Sequence, residues 1–326
     1  MKKNYILFIF IAVQIALLAG CVGWNQKANE ALIREPGHRV YNQEVKASEM
    51  AAKQWEFALL SEVAYIKVGQ IQQYRKLNLT LSADALTDEK AVSSLPAPCP
   101  IASSVLKDAG WVHWQDFPSP ELKSLLTHKN LRVEAWARQS PPAVAVTFGG
   151  TVFDNPSDWE SNLRWFIPWH NDEYTVLVTK VAPDFIDTFK RHVANADEAW
   201  LAQATLYSTG HSLGGGLAQE FAYALPQDVA VQRVAQVYAF DPSPVTGYYS
   251  VDSATRDVNR KNLSINRIFE RGEVLAAIRS ITALVYPPST ASPAVMTVRY
   301  NFDGLVGPIS AHSMDSLACG LYLTSH

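Results

Sequence analysis

Residues 205–218 have the sequence TLYSTGHSLGGGLA, and this stretch decides the fold class. A strand-like run ends at Thr209 and a helical pattern begins at Leu213, so Gly210-His211-Ser212-Leu213-Gly214 forms the turn between them. This segment matches G-x-S-x-G, the nucleophile elbow. Its two glycines come close together in a tight turn, where a Cβ on either one would clash. The turn is predicted to project the Ser212 hydroxyl above the sheet, beside the positive end of the following helix.

Strands and helices alternate on both sides of this turn. The continuous apolar run 143–148 is typical of a strand that is buried on both faces. Such alternation predicts an α/β fold with a mostly parallel central sheet and helices on both faces. Strands are predicted at 111–117, 131–138, 143–148, 205–209, 235–240, 264–269 and 294–300, and helices at 183–203, at 314–323 and from Met50 and Leu213.

The composition excludes several classes of protein. The chain has 326 residues, of which 48% are hydrophobic and 18% are charged, and this content indicates a packed core rather than a disordered chain. A formal net charge of −3 argues against nucleic-acid binding, which requires a basic excess. Three cysteines are too few for a disulfide-built scaffold, and their spacing indicates no zinc site. We expect one folded domain over 49–326, no metal, no cofactor and a monomer.

The N-terminal residues form a separate targeting segment. Lys2 and Lys3 precede an apolar run over 5–18, which is short for a membrane span, and the run ends in Leu18-Ala19-Gly20-Cys21. This string resembles the lipobox of bacterial lipoproteins. The resemblance implies a signal peptide over 1–20, acylation of Cys21, for example with palmitate, and a lipid anchor in the bacterial cell envelope. An ordinary secretory signal, or an uncleaved anchor with a chance cysteine, is the alternative.

Residues 21–48 are polar and lack a sustained apolar period, so they are predicted to be a tether. By resemblance to lipoprotein sorting, Val22 in place of an aspartate after the cysteine favours the outer membrane. Two further cysteines remain, Cys99 and Cys319. An oxidising compartment permits a disulfide between them, and each could equally be a buried thiol.

Several motifs together resemble one family. Residues 209–218 resemble the elbow of class 3 (fungal-type) lipases, which belong to the α/β-hydrolase superfamily. Upstream, residues 146–151 resemble the family's F-R-G-T strand end, with a glycine in place of the arginine. Asp158-Trp159 with Asn162-Leu163 resembles the family's acidic-Trp helix start. The resemblance covers about residues 50–326, and it implies an α/β-hydrolase fold and an ester-hydrolysing activity.

The chain order and the resemblance indicate the other groups of the site. The N–H of Leu213, the residue after the nucleophile, is the first expected oxyanion donor, and the resemblance implies Thr151 as the second. His211 lies inside the elbow and is predicted to point away from the site. His312 follows the last predicted strand, where the family's histidine also falls, so we assign His312 as the general base.

Two carboxylates compete for the role of triad acid. Glu273 lies 61 residues after Ser212 (273 − 212), in a sequence that resembles the family's Asp-Pro-Val-Pro site with Glu in place of Asp. Asp241 closes an earlier strand and begins the sequence Asp-Pro-Ser-Pro, which resembles the acid site of pancreatic-type lipases. Either carboxylate could orient the histidine tautomer. We favour Glu273 and expect Asp241 to cap a turn.

These residues predict a serine hydrolase that cleaves carboxylic esters through an acyl-enzyme. By resemblance, and because the predicted anchor would hold the enzyme at a bilayer, the expected substrate is a fatty-acyl lipid ester. The sequence does not separate triglycerides, phospholipids and small esters. The alternatives are an acyltransferase on the same site and an inactive lipoprotein that binds envelope components. Residues 163–175 lie where lipases of this type carry a lid, although apolar runs of this kind are more often core.

Overall fold

The structure is a computed structural model that describes residues 26–65, 99, 102–129, 131–149, 172–273, 275, 292–302 and 310–326. Within these residues, nine strands form one sheet. In chain order they are β1 (Glu30–Arg34), β2 (Gln43–Lys46), β3 (Val112–His113), β4 (Arg132–Arg138), β5 (Ala143–Gly149), β6 (Thr205–His211), β7 (Val234–Phe240), β8 (Ser264–Glu270) and β9 (Ala294–Tyr300). Their order across the sheet is β2-β1-β9-β8-β7-β6-β5-β4-β3.

Helices connect and cover these strands. The α-helices of the described residues are α1 (Ala47–Ala51), α2 (Trp55–Tyr65), α3 (Ala102–Asp108), α4 (Pro120–His128), α5 (Asp172–Val176), α6 (Ala182–Ala194), α7 (Leu213–Ala224), α8 (Ser253–Asn259) and α9 (Met314–Ser325). A π-helical turn, Leu177–Val181, joins α5 to α6. A 3₁₀ helix, Ala196–Gln203, precedes β6, and a 3₁₀ turn, Ser310–His312, precedes α9.

The five central strands, β5 to β9, run parallel to one another. At one edge β4 and β3 pair antiparallel, and at the other edge β1 and β2 do the same. Parallel neighbours need crossover connections, and the helical segments α5–α6, α7 and α8 supply them between β5 and β8. This arrangement confirms the predicted α/β-hydrolase fold. Its sheet is parallel in the centre and antiparallel at both edges.

The sheet separates two hydrophobic cores because side chains alternate between the faces of each strand. In β5, Val144, Val146 and Phe148 belong to one core, and Ala143 and Ala145 belong to the other. Helices α4, α6 and α7 pack into the first core, and α1, α2, α3 and α9 pack into the second. The predicted placement of helices on both faces is therefore confirmed.

The predicted tether over 21–48 is wrong where the structure describes it. Strands β1 and β2 lie in this region, and β1 pairs with β9, with Leu32 opposite Arg299. Residues 30–46 therefore belong to the folded domain. The sequence signal is weak because the five residues of β1 bury only the side chains of Ala31 and Ile33.

Two other elements are shorter than the sequence predicts. The strand expected over 111–117 is reduced to Val112–His113. The helix expected over 183–203 ends at Ala194, because Asn195 adopts an extended conformation with φ −76° and ψ 124°. The Asn195 side chain then accepts a hydrogen bond from Asp197 N at 3.2 Å and caps the following 3₁₀ helix.

A disulfide joins Cys99 to Cys319, with the Cα atoms 5.3 Å apart and 220 residues of sequence between them. Of the two states that the sequence left open for these cysteines, the structure shows the bonded one. Within the described residues, no helix is both long enough and apolar enough to span a membrane. Cys21 and the rest of the predicted targeting segment lie outside the described residues.

Candidate active site

Ser212 occupies the turn between β6 and α7. Its backbone has φ 55° and ψ −122°, a conformation that residues other than glycine rarely adopt. Ser212 N donates a hydrogen bond to Phe240 O at 3.0 Å. Ser212 O accepts hydrogen bonds from Ser243 N at 2.9 Å and from Gly215 N at 3.1 Å. Strand β7, the loop after it and the first turn of α7 together hold the strained backbone in place.

Glycine is required on both sides of Ser212. A Cβ on Gly210 would contact the backbone carbonyl of Gly214, and a Cβ on Gly214 would overlap the carbonyl of Phe148. Both obstacles are backbone atoms in packed elements, which cannot rotate away. Strands β5 and β6 and helix α7 therefore approach one another more closely than residues with side chains would allow.

The strand that leads into the turn is anchored to α2. Thr209 Oγ1 lies 2.8 Å from Ser61 Oγ and 2.9 Å from Tyr238 O. Ser61 Oγ in turn donates a hydrogen bond to Phe57 O at 2.9 Å. Because both hydroxyls are fully buried, these contacts satisfy polar groups that would otherwise be costly to bury. The contacts fix the end of β6 relative to α2 and β7.

His312 and Glu273 form a buried hydrogen-bonded pair. Nδ1 of His312 lies 3.0 Å from Oε2 of Glu273. The same oxygen accepts a hydrogen bond from Leu275 N at 2.7 Å, which fixes the carboxylate. A carboxylate at Nδ1 favours the imidazole tautomer with the proton on Nδ1 and leaves Nε2 as a proton acceptor. This is the arrangement that a general base requires.

Asp241 directly follows β7 and is fully buried. Its Oδ1 accepts a hydrogen bond from Glu270 N at 3.2 Å, and its Oδ2 lies 4.0 Å from His211 Nε2. The backbone at Asp241 has φ 38°, which aspartate tolerates better than most residues, and its N–H donates to Ile268 O at 2.8 Å. The structure thus places Asp241 beside His211, whereas Nδ1 of His312 contacts Glu273.

His211 lies next to His312, although the sequence predicted that it points away from the site. Its ring is buried, and the ring centroid lies 4.7 Å from that of His312 at an interplanar angle of 48°. The contact follows from the strand register, which the sequence pattern did not indicate. His211 ends β6 opposite Phe240 of β7, so it lies beside the residue that precedes Asp241.

A buried polar network holds the helix that follows Ser212. Gln219 Nε2 donates to Gly215 O at 2.9 Å. Gln219 Oε1 accepts from Arg267 Nε at 3.1 Å and from Arg267 Nη2 at 2.9 Å. Burial lowers the pKa of the Arg267 guanidinium from its ordinary value, because the charged form loses hydration. The network ties the first turn of α7 to β8.

Glu220, also on α7, is a fully buried carboxyl group. A Cβ on Gly247 would lie 2.5 Å from the Cβ of Glu220, so the loop after β7 packs directly on this side chain. Among the described residues, neither Glu220 carboxyl oxygen has a hydrogen-bond partner. Burial raises the pKa of Glu220 to about 10, because the charged form is poorly solvated. The group is therefore neutral at pH 7.

The structure describes one of the two predicted oxyanion donors and only the end of the predicted lid. Leu213 begins α7, so its N–H has no acceptor within the helix and is available to a ligand. Thr151, the second predicted donor, lies outside the described residues. Most of the predicted lid over 163–175 lies outside them as well, and its last four residues belong to α5.

Comparison with known proteins gives structural neighbours but no sequence match. No family model matches the sequence, and no curated protein sequence matches it. The structure of a fungal lipase–inhibitor complex aligns with a TM-score of 0.39 over 73% of this chain and 74% of its own, at 13% identity. The Rhizomucor miehei lipase–propeptide complex aligns with a TM-score of 0.40 over 77% of this chain and 70% of its own, at 12% identity. Similarity at this level carries no conclusion about activity, which must be argued from the site.

Proposed function

We propose that the chain is a serine hydrolase that cleaves carboxylic esters, with Ser212 as nucleophile, His312 as general base and Glu273 as the acid that orients His312. The observation that carries this proposal is the 3.0 Å distance between His312 Nδ1 and Glu273 Oε2. The strained backbone of Ser212, at a turn between a strand and a helix, is the second support. Nucleophile, base and orienting carboxylate are the three parts of this catalytic arrangement.

The reaction follows from these roles. Ser212 Oγ attacks the ester carbonyl carbon, and its proton passes to Nε2 of His312. The carbonyl oxygen gains the electron pair and is stabilised by the N–H of Leu213, with Thr151 as the second donor. The carbon–oxygen bond to the alcohol then breaks, and the alcohol takes the proton from His312. Water attacks the acyl-enzyme by the same route, which releases the carboxylic acid and restores Ser212.

Asp241 has a structural role in this proposal. Its Oδ1 accepts the hydrogen bond from Glu270 N, which stabilises the end of β8 three residues before Glu273. Its Oδ2 lies 4.0 Å from His211 Nε2, whereas Nδ1 of His312 contacts Glu273, and both observations support a structural role for Asp241. The carboxylate therefore supports the elements that carry the triad.

The substrate class rests on the sequence motifs. The resemblance of residues 209–218 to the elbow of class 3 lipases favours a fatty-acyl lipid ester. Acylation of Cys21 would hold the enzyme at the outer membrane, next to such a substrate. Replacement of Cys21 by serine, followed by labelling with radioactive palmitate and fractionation, tests the anchor. An unlabelled wild-type protein in the cytoplasm would contradict it.

The decisive experiment compares Ser212→Ala with Ser250→Ala, which removes an exposed serine from the loop after β7. Nitrophenyl esters of increasing chain length, triglyceride emulsions and phospholipid vesicles serve as substrates. We expect Ser212→Ala to lose on the order of 10⁶ in rate, with wild-type activity for Ser250→Ala. A fluorophosphonate probe should label the wild type and not Ser212→Ala. A folded Ser212→Ala protein with a tenth of wild-type activity would refute the proposal, and product analysis with an added alcohol separates hydrolysis from acyl transfer.

A further inference from the structure

Three buried side chains converge next to Ser212. One nitrogen each from His211 and His312 and one oxygen from Asp241 all lie within 4.8 Å of one another. His211 Nε2 lies 4.0 Å from Asp241 Oδ2, and the two imidazole centroids are 4.7 Å apart. Among the described residues, this is the group of histidine, cysteine and acidic side chains whose atoms could share one ion. The group combines His211, which ends β6, and Asp241, which follows β7, with the candidate base.

The donor set suits a divalent transition-metal ion. Two imidazole nitrogens and one carboxylate oxygen are ligands of Zn²⁺ in sites that leave a fourth position open. With metal–ligand bonds of about 2.0–2.1 Å, tetrahedral ligand atoms lie about 3.3–3.4 Å apart. The widest separation in the group would therefore shorten by about 1.5 Å on binding, a change within reach of side-chain rotation.

The surrounding hydrogen bonds match those of a metal site. Glu273 contacts Nδ1 of His312, so Nε2 would be the ligand atom in a carboxylate–histidine–metal pattern. Asp241 Oδ1 accepts from Glu270 N, and its Oδ2 lies on the side of His211. These contacts restrict the rotamers of two of the three ligands before any ion arrives.

We propose that His211, Asp241 and His312 form a reversible inhibitory site for a divalent transition-metal ion such as Zn²⁺. The effect on activity rests on the proposed function, because the ion would occupy the Nε2 lone pair with which His312 accepts the Ser212 proton. Binding uses the lone pairs of two neutral imidazoles and a carboxylate, and it transfers no electrons. Mg²⁺ and Ca²⁺ prefer oxygen ligands and should bind this group poorly.

Direct binding is measured first, in a form that does not depend on turnover. Zn²⁺ is titrated by calorimetry into Ser212→Ala, which retains all three ligands, and we expect one ion per chain. Adding His211→Gln to this background should weaken binding at least about tenfold, since even the loss of a hydrogen-bond partner of a metal ligand costs about 10–100-fold. Adding His128→Gln, which removes an exposed histidine of α4, should leave the affinity unchanged.

Inhibition is then measured on ester hydrolysis by the wild type. Zn²⁺ should inhibit near its calorimetric Kd, EDTA should restore the rate, and Mg²⁺ at the same concentration should have no effect. Absence of one-to-one binding to Ser212→Ala, or equal Zn²⁺ affinity in the His211→Gln protein, overturns the proposal. If His211→Gln does not fold by circular dichroism, Asp241→Asn replaces it under the same tenfold criterion. One-to-one binding without any ester hydrolysis by the wild type would refute the proposed function and leave the ion site standing.

Discussion

Oε2 of Glu273 lies 3.0 Å from Nδ1 of the His312 imidazole. This oxygen also accepts from Leu275 N, so the acid is oriented by the backbone of its own loop. Replacement by glutamine keeps the size of the side chain and removes the charge. We expect Glu273→Gln to lower kcat by about 10³–10⁴, because the amide no longer selects the working tautomer of His312.

Asp241→Asn is the matched control for this change. An asparagine oxygen can still accept from Glu270 N, so we expect a loss in kcat of only about tenfold. Both variants are compared under identical conditions after circular dichroism has shown that they are folded. If Asp241→Asn lowers kcat a hundredfold more than Glu273→Gln does, the triad acid is Asp241, which follows β7.

Gly214→Ala tests the close approach of α7 to the sheet. The added methyl group would overlap the carbonyl of Phe148, so we expect a loss of about 3 kcal/mol or more in the free energy of unfolding. Gly272→Ala is the control: apart from its chain neighbours, no atom of the described residues lies within 4 Å of its Cβ position, and the expected cost is the strain of φ +81°, about 1–2 kcal/mol. Urea denaturation measures both, and equal losses would contradict the steric argument.

Glu220→Gln is expected to change how stability depends on pH. The pKa of Glu220 is about 10 in the folded state, against an ordinary value of 4.5. Between these two pH values the unfolded chain releases the proton and the folded chain keeps it. The free energy of unfolding therefore falls as pH rises, by at most about 1.4 kcal/mol per pH unit.

Glutamine removes this dependence because it does not titrate. Wild type and Glu220→Gln should have similar stability at pH 5, and at pH 8 the variant should be more stable by about 2–4 kcal/mol. Thermal or urea denaturation across this range measures the difference. Glu49→Gln, at an exposed position of α1, provides the control and should leave the pH profile unchanged. Parallel profiles for wild type and Glu220→Gln would show that Glu220 ionises in the folded protein.

The disulfide between Cys99 and Cys319 should contribute about 2–5 kcal/mol to stability, because it restricts a long loop of the unfolded chain. Cys99→Ser, Cys319→Ser and the double variant should lose equal amounts, since each removes the same cross-link. Wild type treated with a reductant should match them in urea denaturation. Unequal losses in the two single variants would point to packing of one thiol rather than to the cross-link.

Strand β5 could be predicted because burial on both faces leaves a continuous apolar sequence. All seven residues of β5 are buried, and the predicted strands at 143–148, 264–269 and 294–300 agree with the structure to within one residue. At 111–117, with the sequence WVHWQDF, the content of aromatic and β-branched residues is misleading. The buried residues of this segment are Trp111, Trp114 and Phe117, but only Val112 and His113 belong to the sheet. Burial of an aromatic side chain does not require that its backbone pair with a strand.

The candidate site, too, could be predicted only in part from the sequence. The turn at Ser212 is local, so its glycine spacing predicts its geometry. The choice between Glu273 and Asp241 is not local: the two residues follow β8 and β7, which are neighbours in the sheet and end at the same edge. Chain order leaves both within reach of His312, and the contact that favours Glu273 depends on the three-dimensional arrangement of the two loops. The inward position of His211 escaped prediction because the elbow pattern fixes only the serine.

The pairing of β1 with β9 brings together two segments that are far apart in the sequence. Gln26 Nε2 donates to Arg299 O at 2.8 Å, and Asn301 Nδ2 donates back to Gln26 O at 2.8 Å. Leu32 and its partner Arg299 are 267 residues apart (299 − 32), so β1 has no partner at this edge until the C-terminal part of the domain is available for folding. Until then the open edge of β1 can pair with a strand of another chain. Closure of the sheet is therefore a late folding event, and dependence on a chaperone should be concentrated before it.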